Sequence, residues 1–331
     1  MRKKKRIKKI LIILAVLFII LYVAVCNILV SAALVPSFME RLEAFQSLTE
    51  QGLEAQVHTD DIQQNRTESL SETEEWVQSA DSEELSVTSE DGYRLVARAF
   101  YQKDENGEQS HKWVLLLHGY TGWKEEMYPI GCRYAAQGYQ VLVPDLRCSG
   151  ESEGDFIGMG WTDRLDNMLW LNVILEKDPE AEIVIHGQSM GAACALMMSG
   201  EELPDNVKAI VSDSAYTDVY SMFKKQMRDW FHLPAFPILQ GAGLMLMLRG
   251  GYNIWEASAL EAVKKTDLPV LIIHGTEDAF VPVSMAQELY DAVPGEKELL
   301  LVEGAGHVQA QDKDPDTYYG TVFSFLEQHG F

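Results

Sequence analysis

The sequence predicts an α/β fold in which a mostly parallel sheet is covered by helices on both faces, with a helical insertion and one apolar N-terminal helix. Three observations predict it. Short apolar runs alternate with helical stretches from residue 84 onwards, and this order is typical of a doubly covered sheet. Residues 214–265 interrupt the alternation, and an uncharged apolar run, 10–35, precedes it.

The N-terminus has the features of a membrane anchor. Residues 1–9 carry seven positive charges and no negative one, and residues 10–35 carry no charge. About 20 apolar residues are enough to cross a bilayer as a helix. The positive-inside rule keeps a basic tail in the cytoplasm, which predicts one membrane helix and an extracytoplasmic main domain. The alternative is a signal peptide cleaved near Ser31-Ala32-Ala33, which would make the protein secreted.

Residues 36–83 connect the apolar run to the main domain. Four apolar residues recur at steps of four and three positions, which predicts an amphipathic helix. They are Phe38, Leu42, Phe45 and Leu48. The stretch 58–71 is polar and has little periodicity, which is typical of a tether.

The main domain, 84–331, begins with two alternating segments, 85–88 and 94–100, around the turn Glu90-Asp91-Gly92. They predict two strands. Six apolar runs follow as predicted strands: 113–117, 140–143, 183–185, 207–211, 270–273 and 298–302. The predicted helices are 125–137, 162–176, 190–199, 284–292 and 317–328. We expect these strands to be buried on both faces of a parallel sheet.

The insertion, 214–265, is rich in aromatic residues and methionine. Insertions of this size are often functional. It is therefore either a cap that forms a lid or an acyl pocket, or additional helical packing on the core. Trp230 and Phe231 within it, together with Tyr120, are the predicted substrate-pocket residues.

The segment Gly187-Gln188-Ser189-Met190-Gly191 follows an apolar run and begins a helix-forming stretch. A sharp strand-to-helix turn of this composition is typical of a nucleophile elbow, which exposes the serine hydroxyl at its tip. The glycines leave room for a strained backbone. The helix N-terminus supplies amide donors near developing negative charge. Ser189 is therefore the predicted nucleophile.

A serine nucleophile needs a base, and an acid must orient that base. His307 follows the predicted strand 298–302 in a glycine-rich loop, and Asp278 follows the strand 270–273. Glu277 is adjacent to Asp278 and is the alternative acid. We favour Asp278 because adjacent side chains in an extended loop point apart and the shorter carboxylate commonly takes this place.

The oxyanion of an acyl intermediate needs two backbone N–H donors. Met190, directly after the nucleophile, is the first predicted donor. Tyr120, in the loop 118–122 after the strand 113–117, is the second. Three histidines at strand ends or turns are expected to have packing roles: His118, His186 and His274.

Composition excludes several classes of partner. The whole chain has a net charge of −23, and outside the basic tail the net charge is −30. Such acidity repels phosphate backbones, so nucleic acid is not a predicted partner. The four cysteines include no C-x-x-C pair, which argues against structural zinc. No phosphate-binding or dinucleotide motif occurs, so no cofactor or metal is predicted. The sequence does not indicate an oligomeric state.

Five motifs together resemble the bacterial α/β-hydrolases grouped with serine aminopeptidase-like and Bem46-like proteins. They are His118–Gly122, Asp145–Ser152, Gly187–Gly191, His274–Asp278 and Gly306–His307. The resemblance spans about residues 84–329 and implies an α/β-hydrolase fold. It also implies Ser189, Asp278 and His307 as catalytic residues in the chain order of that fold, with Tyr120 and Met190 as amide donors. It implies no substrate, because the group includes esterases, acyltransferases and peptidases.

Three functions are compatible with these residues. The first is hydrolysis of an acyl ester through a serine acyl-enzyme, and the anchor and apolar insertion favour a medium-chain or lipid-like acyl group. The second is a serine aminopeptidase or amide hydrolase, for which the sequence places no carboxylate cluster near Ser189. The third is a membrane-tethered scaffold without activity, which would predict decay of the three catalytic positions, yet all three are intact.

Overall fold

The computed structural model describes residues 2–41, 57–103, 107 and 110–331. The strands in these residues are β1 (Asp81–Thr88), β2 (Arg94–Tyr101), β3 (Lys112–Leu117), β4 (Gln140–Pro144), β5 (Glu182–Gln188), β6 (Val207–Asp213), β7 (Val270–Gly275) and β8 (Lys297–Val302). They form one sheet in the order β1-β2-β4-β3-β5-β6-β7-β8. Only β1 and β2 run antiparallel to their neighbours, which confirms the predicted mostly parallel sheet.

The helices follow the chain in the same alternation. They are α1 (Arg2–Leu34), α2 (Pro36–Met39), α3 (Asp60–Ser79), α4 (Tyr128–Ala136), α5 (Asp163–Lys177), α6 (Met190–Met198), α7 (Val219–Phe231), α8 (Ala235–Arg249), α9 (Ala259–Val263), α10 (Val283–Ala292), α11 (Ala310–Lys313) and α12 (Pro315–Gln328). A single 3₁₀ turn, Lys124–Met127, precedes α4 in the described chain. The five helices predicted in the main domain correspond to α4, α5, α6, α10 and α12.

Two hydrophobic layers explain the apolar character of the central strands. Val114 and Leu116 of β3 belong to a buried cluster that also contains residues of α4 and α12. Leu115 and Leu117, on the opposite face of the same strand, belong to a second cluster with residues of α5 and α6. Alternate side chains of a strand point to opposite faces, so helices cover both faces of the sheet. The two edge strands are exceptions, since β1 is largely exposed and most of β8 is half-buried.

The N-terminal helix α1 is long and apolar enough, over Lys4–Leu34, to cross a membrane by length and composition. Most of its side chains are exposed, but those of residues 29–34 are buried or half-buried. Val30 and Leu34 are only 4% and 1% exposed, and they belong to the main hydrophobic cluster. The end of α1 therefore packs into the main domain, a contact that the sequence did not reveal.

The segment between α1 and the sheet differs from its prediction. Most of 58–71, expected to be a tether, lies in α3. Asn65 Nδ2 donates to the carbonyl of Asp312 at 2.8 Å, and the Trp76 ring centroid is 4.3 Å from that of Phe100. Many of the side chains that fix this helix to the domain are polar or charged, such as Arg66 and Asp61, which bind Asp312 and Lys313, and this explains why its sequence shows little apolar periodicity. Of the predicted amphipathic helix, Phe38 lies in α2, whereas Leu42, Phe45 and Leu48 lie outside the described residues.

The insertion between β6 and β7 contains three helices, α7, α8 and α9. The short helix α9 packs on the core, with Ala259 and Val263 buried. Helices α7 and α8 instead line a cavity above the carboxyl ends of the strands. The insertion therefore provides both a cavity wall and extra packing.

Candidate active site

Ser189 is the residue at which β5 turns into α6. Its backbone has φ 53° and ψ −114°, a strained conformation for any residue other than glycine. A Cβ on Gly187 would lie 2.2 Å from the carbonyl oxygen of Gly191, and a Cβ on Gly191 would lie 2.0 Å from that of Leu117. The two glycines are therefore required by close backbone contacts, as the motif predicted.

The three residues predicted from motif order form one chain of hydrogen bonds. His307 Nε2 lies 2.8 Å from Ser189 Oγ, and His307 Nδ1 lies 2.7 Å from Asp278 Oδ2. Each residue follows the carboxyl end of a different strand, β5, β7 or β8. Parallel neighbouring strands end at the same edge of the sheet, and this brings together residues more than a hundred positions apart.

The carboxylate of Asp278 is fully enclosed and held on both oxygens. Its Oδ1 accepts the N–H groups of Phe280 and Val281 at 2.9 and 2.8 Å, while Oδ2 faces His307 and lies 3.2 Å from His274 Nε2. Burial alone would raise the pKa of Asp278, but the two histidines outweigh it and hold this pKa well below its usual range. Asp278 is therefore ionised and fixed in orientation.

The alternative acid is placed differently. Glu277 is exposed, and its backbone N–H donates to the carbonyl of Ala305 at 2.9 Å. Asp278, by contrast, is 8% exposed. The two adjacent side chains have opposite environments, and it is the Asp278 carboxylate that reaches His307.

The predicted oxyanion donors lie on either side of the serine. Met190 is the first residue of α6, and Tyr120 follows Gly119, where a Cβ would lie 3.5 Å from the Cβ of Ser189. Neither N–H is donated to another group within the described residues. Two unpaired amides beside a serine hydroxyl are suited to stabilising an anionic oxygen.

The histidines expected to have packing roles are all fully buried. His118 Nε2 accepts the Leu146 N–H at 2.9 Å, and burial lowers the pKa of His118 to about 4. His186 lies between the hydroxyls of Tyr134 and Tyr318, each at 3.1 Å, and burial lowers its pKa to about 3. His274 does more than pack, because it contacts Asp278.

An apolar cavity adjoins Ser189. It has an empty volume of about 1050 Å³, open solvent at its mouth included. Its lining contains Tyr120 and Trp230, two of the predicted pocket residues, and no charged side chain. The side chain of Phe231, the third, lies outside the described part of the structure. A cavity with this apolar lining suits a largely apolar small molecule.

Sequence reasoning missed several features of the site. The Phe280 ring packs on His307 with centroids 4.9 Å apart and on Trp230 at 6.0 Å. Asp213, fully buried at the end of β6, accepts hydrogen bonds from Gln188 and Tyr318 at 3.0 and 3.1 Å. Asp213 could have been found from the sequence, because it lies just after the predicted strand 207–211. No comparable pattern marks an aromatic residue such as Phe280.

Within the described residues, no group of three or more His, Cys, Asp or Glu side chains is arranged to hold a metal ion.

Two protein-family models match the main domain. The first, described as the alpha/beta hydrolase fold, covers residues 112–247. The second, described as a TAP-like protein, covers residues 254–328.

Curated proteins and solved structures agree with these matches. The uncharacterized protein YqkD of Bacillus subtilis is 30% identical over 65% of this chain and 70% of its own length. A thermostable monoacylglycerol lipase of Bacillus sp. (strain H-257) is 25% identical over 70% of this chain and 95% of its own length. The crystallised esterase Pf2001 of Pyrococcus furiosus superposes with a TM-score of 0.61 at 25% identity, over 76% of this chain and 93% of that chain.

Proposed function

This chain belongs to the α/β-hydrolase superfamily, and from that premise we propose that it is a membrane-anchored serine hydrolase that cleaves acyl esters. The observation that carries the proposal is the hydrogen-bonded chain Ser189–His307–Asp278 at the edge of an apolar cavity. The similarity to a monoacylglycerol lipase and to an esterase supports the same reaction class.

In the first half of the reaction, Ser189 Oγ attacks the ester carbonyl carbon while its proton moves to His307 Nε2. The carboxylate of Asp278 stabilises the imidazolium and keeps its orientation. The amides of Tyr120 and Met190 hold the oxyanion. The tetrahedral intermediate then breaks its bond to the alcohol oxygen, and His307 gives that oxygen the proton. The alcohol leaves, and the acyl group stays on Ser189.

In the second half, a water molecule attacks the acyl-enzyme and its proton passes to His307. The carboxylic acid leaves and the proton returns to Ser189. The net reaction is one ester and one water giving one acid and one alcohol. No further reactant is required.

The amide-hydrolase alternative fits the cavity less well. An aminopeptidase needs a carboxylate to bind the ammonium group of its substrate, but among the described residues no acidic side chain lines the cavity. The scaffold alternative leaves the strained backbone of Ser189 without a purpose, since such strain costs about 1–3 kcal/mol. Both observations favour the esterase.

We also propose that α1 spans the membrane with residues 1–9 in the cytoplasm and the hydrolase domain outside it. Cleavage near Ala33 would remove Val30, which is buried in the domain. This contact favours retention of α1 over removal of a signal peptide.

The test is the activity of the full chain on p-nitrophenyl esters, together with labelling by a fluorophosphonate probe. Ser189→Ala should abolish labelling and reduce kcat by about 10⁶-fold. Ser199→Ala changes another buried serine, at the end of α6. This control should keep both the labelling and the kcat of the parent. Undiminished activity in Ser189→Ala would rule out the proposed mechanism, and a ratio of aminoacyl-anilide to ester turnover above one would favour the amide hydrolase.

A further inference from the structure

The cavity beside Ser189 is completed by the end of the apolar N-terminal helix. Five consecutive or near-consecutive residues of α1 share its lining with Ser189 and Met190: Leu29, Val30, Ala32, Ala33 and Leu34. The remaining wall comes mainly from α7 and α8. A segment with the composition of a membrane helix therefore forms part of the cavity in which the substrate would bind.

Polar contacts hold this end of α1 in place. The Tyr120 hydroxyl donates to the carbonyl of Ala33, and the Ile157 N–H donates to the carbonyl of Leu34 at 2.9 Å. The Arg249 guanidinium at the end of α8 donates to Ser31 Oγ at 2.9 Å. The carbonyls near the end of a helix need partners outside the helix, and here the hydrolase domain provides them.

The length of α1 places this contact at the membrane surface. A span of about 20 residues and about 30 Å that begins at Ile10 ends near Leu29. Within that span, Tyr22 and Cys26 contact the carbonyls of Pro237 and Ile238 at the start of α8. The start of α8 then lies about 5–10 Å inside the hydrocarbon edge.

The outward face of α8 suits that position. Phe236 and Leu248 are 74% and 71% exposed, and Leu244 and Met247 are also exposed. Residues 233–248 carry no charge. Helix α8 runs alongside α1, from Pro237 beside Tyr22 to Arg249 beside Ser31, so its uncharged start reaches the hydrocarbon and its end lies near the membrane surface. Lipid hydrocarbon is therefore the partner that fits this exposed face.

We propose that the cavity takes the acyl chain of a single-chain amphiphile directly from the outer leaflet, and that Leu29 of α1 helps to set the chain length. This proposal rests on the ester hydrolysis proposed above. A substrate with one acyl chain matches the apolar cavity that Ser189 and the end of α1 line. The polar remainder of the substrate stays at the interface, and the ester bond is cleaved as described for the acyl-enzyme.

The first experiment tests the wall formed by α1. The full chain is reconstituted in phosphatidylcholine vesicles and assayed on p-nitrophenyl butyrate and palmitate. Leu29→Trp fills the cavity and should lower the palmitate-to-butyrate ratio of kcat/KM about 10-fold. Ile28→Trp is the matched control, because the Ile28 side chain is next to Leu29 in the sequence but is 55% exposed. In this control the palmitate-to-butyrate ratio should stay within twofold of the parent value.

The smaller variant Leu29→Ala keeps the test meaningful if tryptophan disturbs folding. Leu29→Ala should raise the palmitate-to-butyrate ratio of kcat/KM. Equal ratios for the parent, Leu29→Trp and Leu29→Ala would overturn the role of α1.

The second experiment tests access from the bilayer. Vesicles contain either a monoacylglycerol or a lysophosphatidylcholine of the same chain length, which separates the two polar groups that a single-chain ester can carry. The double variant Phe236→Asn, Leu248→Asn should cleave the embedded substrate about 10-fold more slowly and p-nitrophenyl butyrate at the parent rate. The control Leu165→Asn, Leu301→Asn changes two exposed leucines away from α8 and should affect neither.

Different results would refute the proposed ester hydrolysis and the membrane-derived substrate. Butyrate turnover that survives Ser189→Ala would refute the proposed function. Butyrate turnover that depends on Ser189, combined with no cleavage of either embedded ester or with an unchanged rate in the α8 variant, would refute only the membrane-derived substrate. Cleavage of one embedded ester and not the other would support the proposal and identify the polar group.

Discussion

The strained backbone at Ser189 is possible only because the residues two positions before and after it are glycines. Gly191 has the closest contact, because a Cβ there would lie 2.0 Å from a backbone oxygen of β3. A backbone oxygen at the core of a sheet has little freedom to move. The proposed nucleophile, Ser189, is thus positioned by steric limits in the surrounding sheet as much as by its own conformation.

We therefore expect Gly191→Ala to destabilise the protein by about 2 kcal/mol or more. Its melting temperature in detergent should fall by roughly 4 °C or more. Gly320→Ala is the control, because Gly320 lies inside α12 with no atom within 4 Å of an added Cβ, and alanine favours the helix by about 1 kcal/mol. A melting temperature for Gly191→Ala equal to the parent's would contradict the steric argument.

Two adjacent carboxylates offer a second comparison. Asp278→Asn removes the charge that orients His307 and stabilises its protonated form, so kcat on a soluble ester should fall by about 10⁴-fold. Glu277→Gln changes the exposed neighbour and should keep kcat within twofold. Steady-state kinetics on p-nitrophenyl butyrate decides the matter, and a larger loss in Glu277→Gln would exchange the roles of the two acids.

Among the larger elements, α1 shows where sequence information ends. Its composition predicts contact with lipid along its whole length, because apolar side chains are the same whether they face lipid or protein. Val30 and Leu34 are buried in the domain, whereas Ile28, two residues before Val30, is exposed. Only the folded contact distinguishes these residues. By contrast, the positions of Ser189, Asp278 and His307 follow from strand order, which the apolar runs reveal directly.

The contact of α1 with the domain predicts that the mature protein keeps residues 1–35. Its intact mass should correspond to the uncleaved chain, and it should remain in the membrane fraction after alkaline carbonate extraction. A chain that lacks residues 2–34 should melt at a lower temperature and aggregate, since its apolar cavity would be open to water. A mature N-terminus between residues 31 and 34 would contradict this prediction.

The polar helix α3 illustrates the opposite error. A helix that contacts its domain largely through polar and charged side chains lacks the apolar stripe that marks most surface helices. In α3 only Ile62 and Thr73 are buried. Its polarity therefore suggested a tether, although hydrogen bonds such as that from Asn65 fix it to the domain.

For the molecule in its entirety, buried acids link stability to pH. Asp163 is fully buried, and desolvation followed by the nearby charge of Asp166 raises the pKa of Asp163 to about 7. The folded state therefore binds a proton more tightly than the unfolded state, in which an aspartate has a pKa near 4. The stability from this group is complete below about pH 4 and is lost as the pH rises through about 7.

It follows that Asp163→Asn should gain stability relative to the parent as the pH rises. The difference in melting temperature between variant and parent should be higher at pH 8.5 than at pH 5.5 by about 3 °C or more. Asp205→Asn alters an exposed aspartate and should show no such change with pH. A constant difference for Asp163→Asn at both pH values would show that Asp163 is ionised throughout this range.

The docking of α1 also means that the proposed anchor is a structural part of the hydrolase domain. In many membrane-attached proteins the anchor can be exchanged for another apolar helix without consequence for the domain that it carries. Here the residues after Leu29 would be lost in such an exchange, and with them the partners of Tyr120 and Arg249. A chimera with a foreign anchor would reach the same membrane and keep Ser189, Asp278 and His307. Its cavity would have a different wall, so its substrate preference would change.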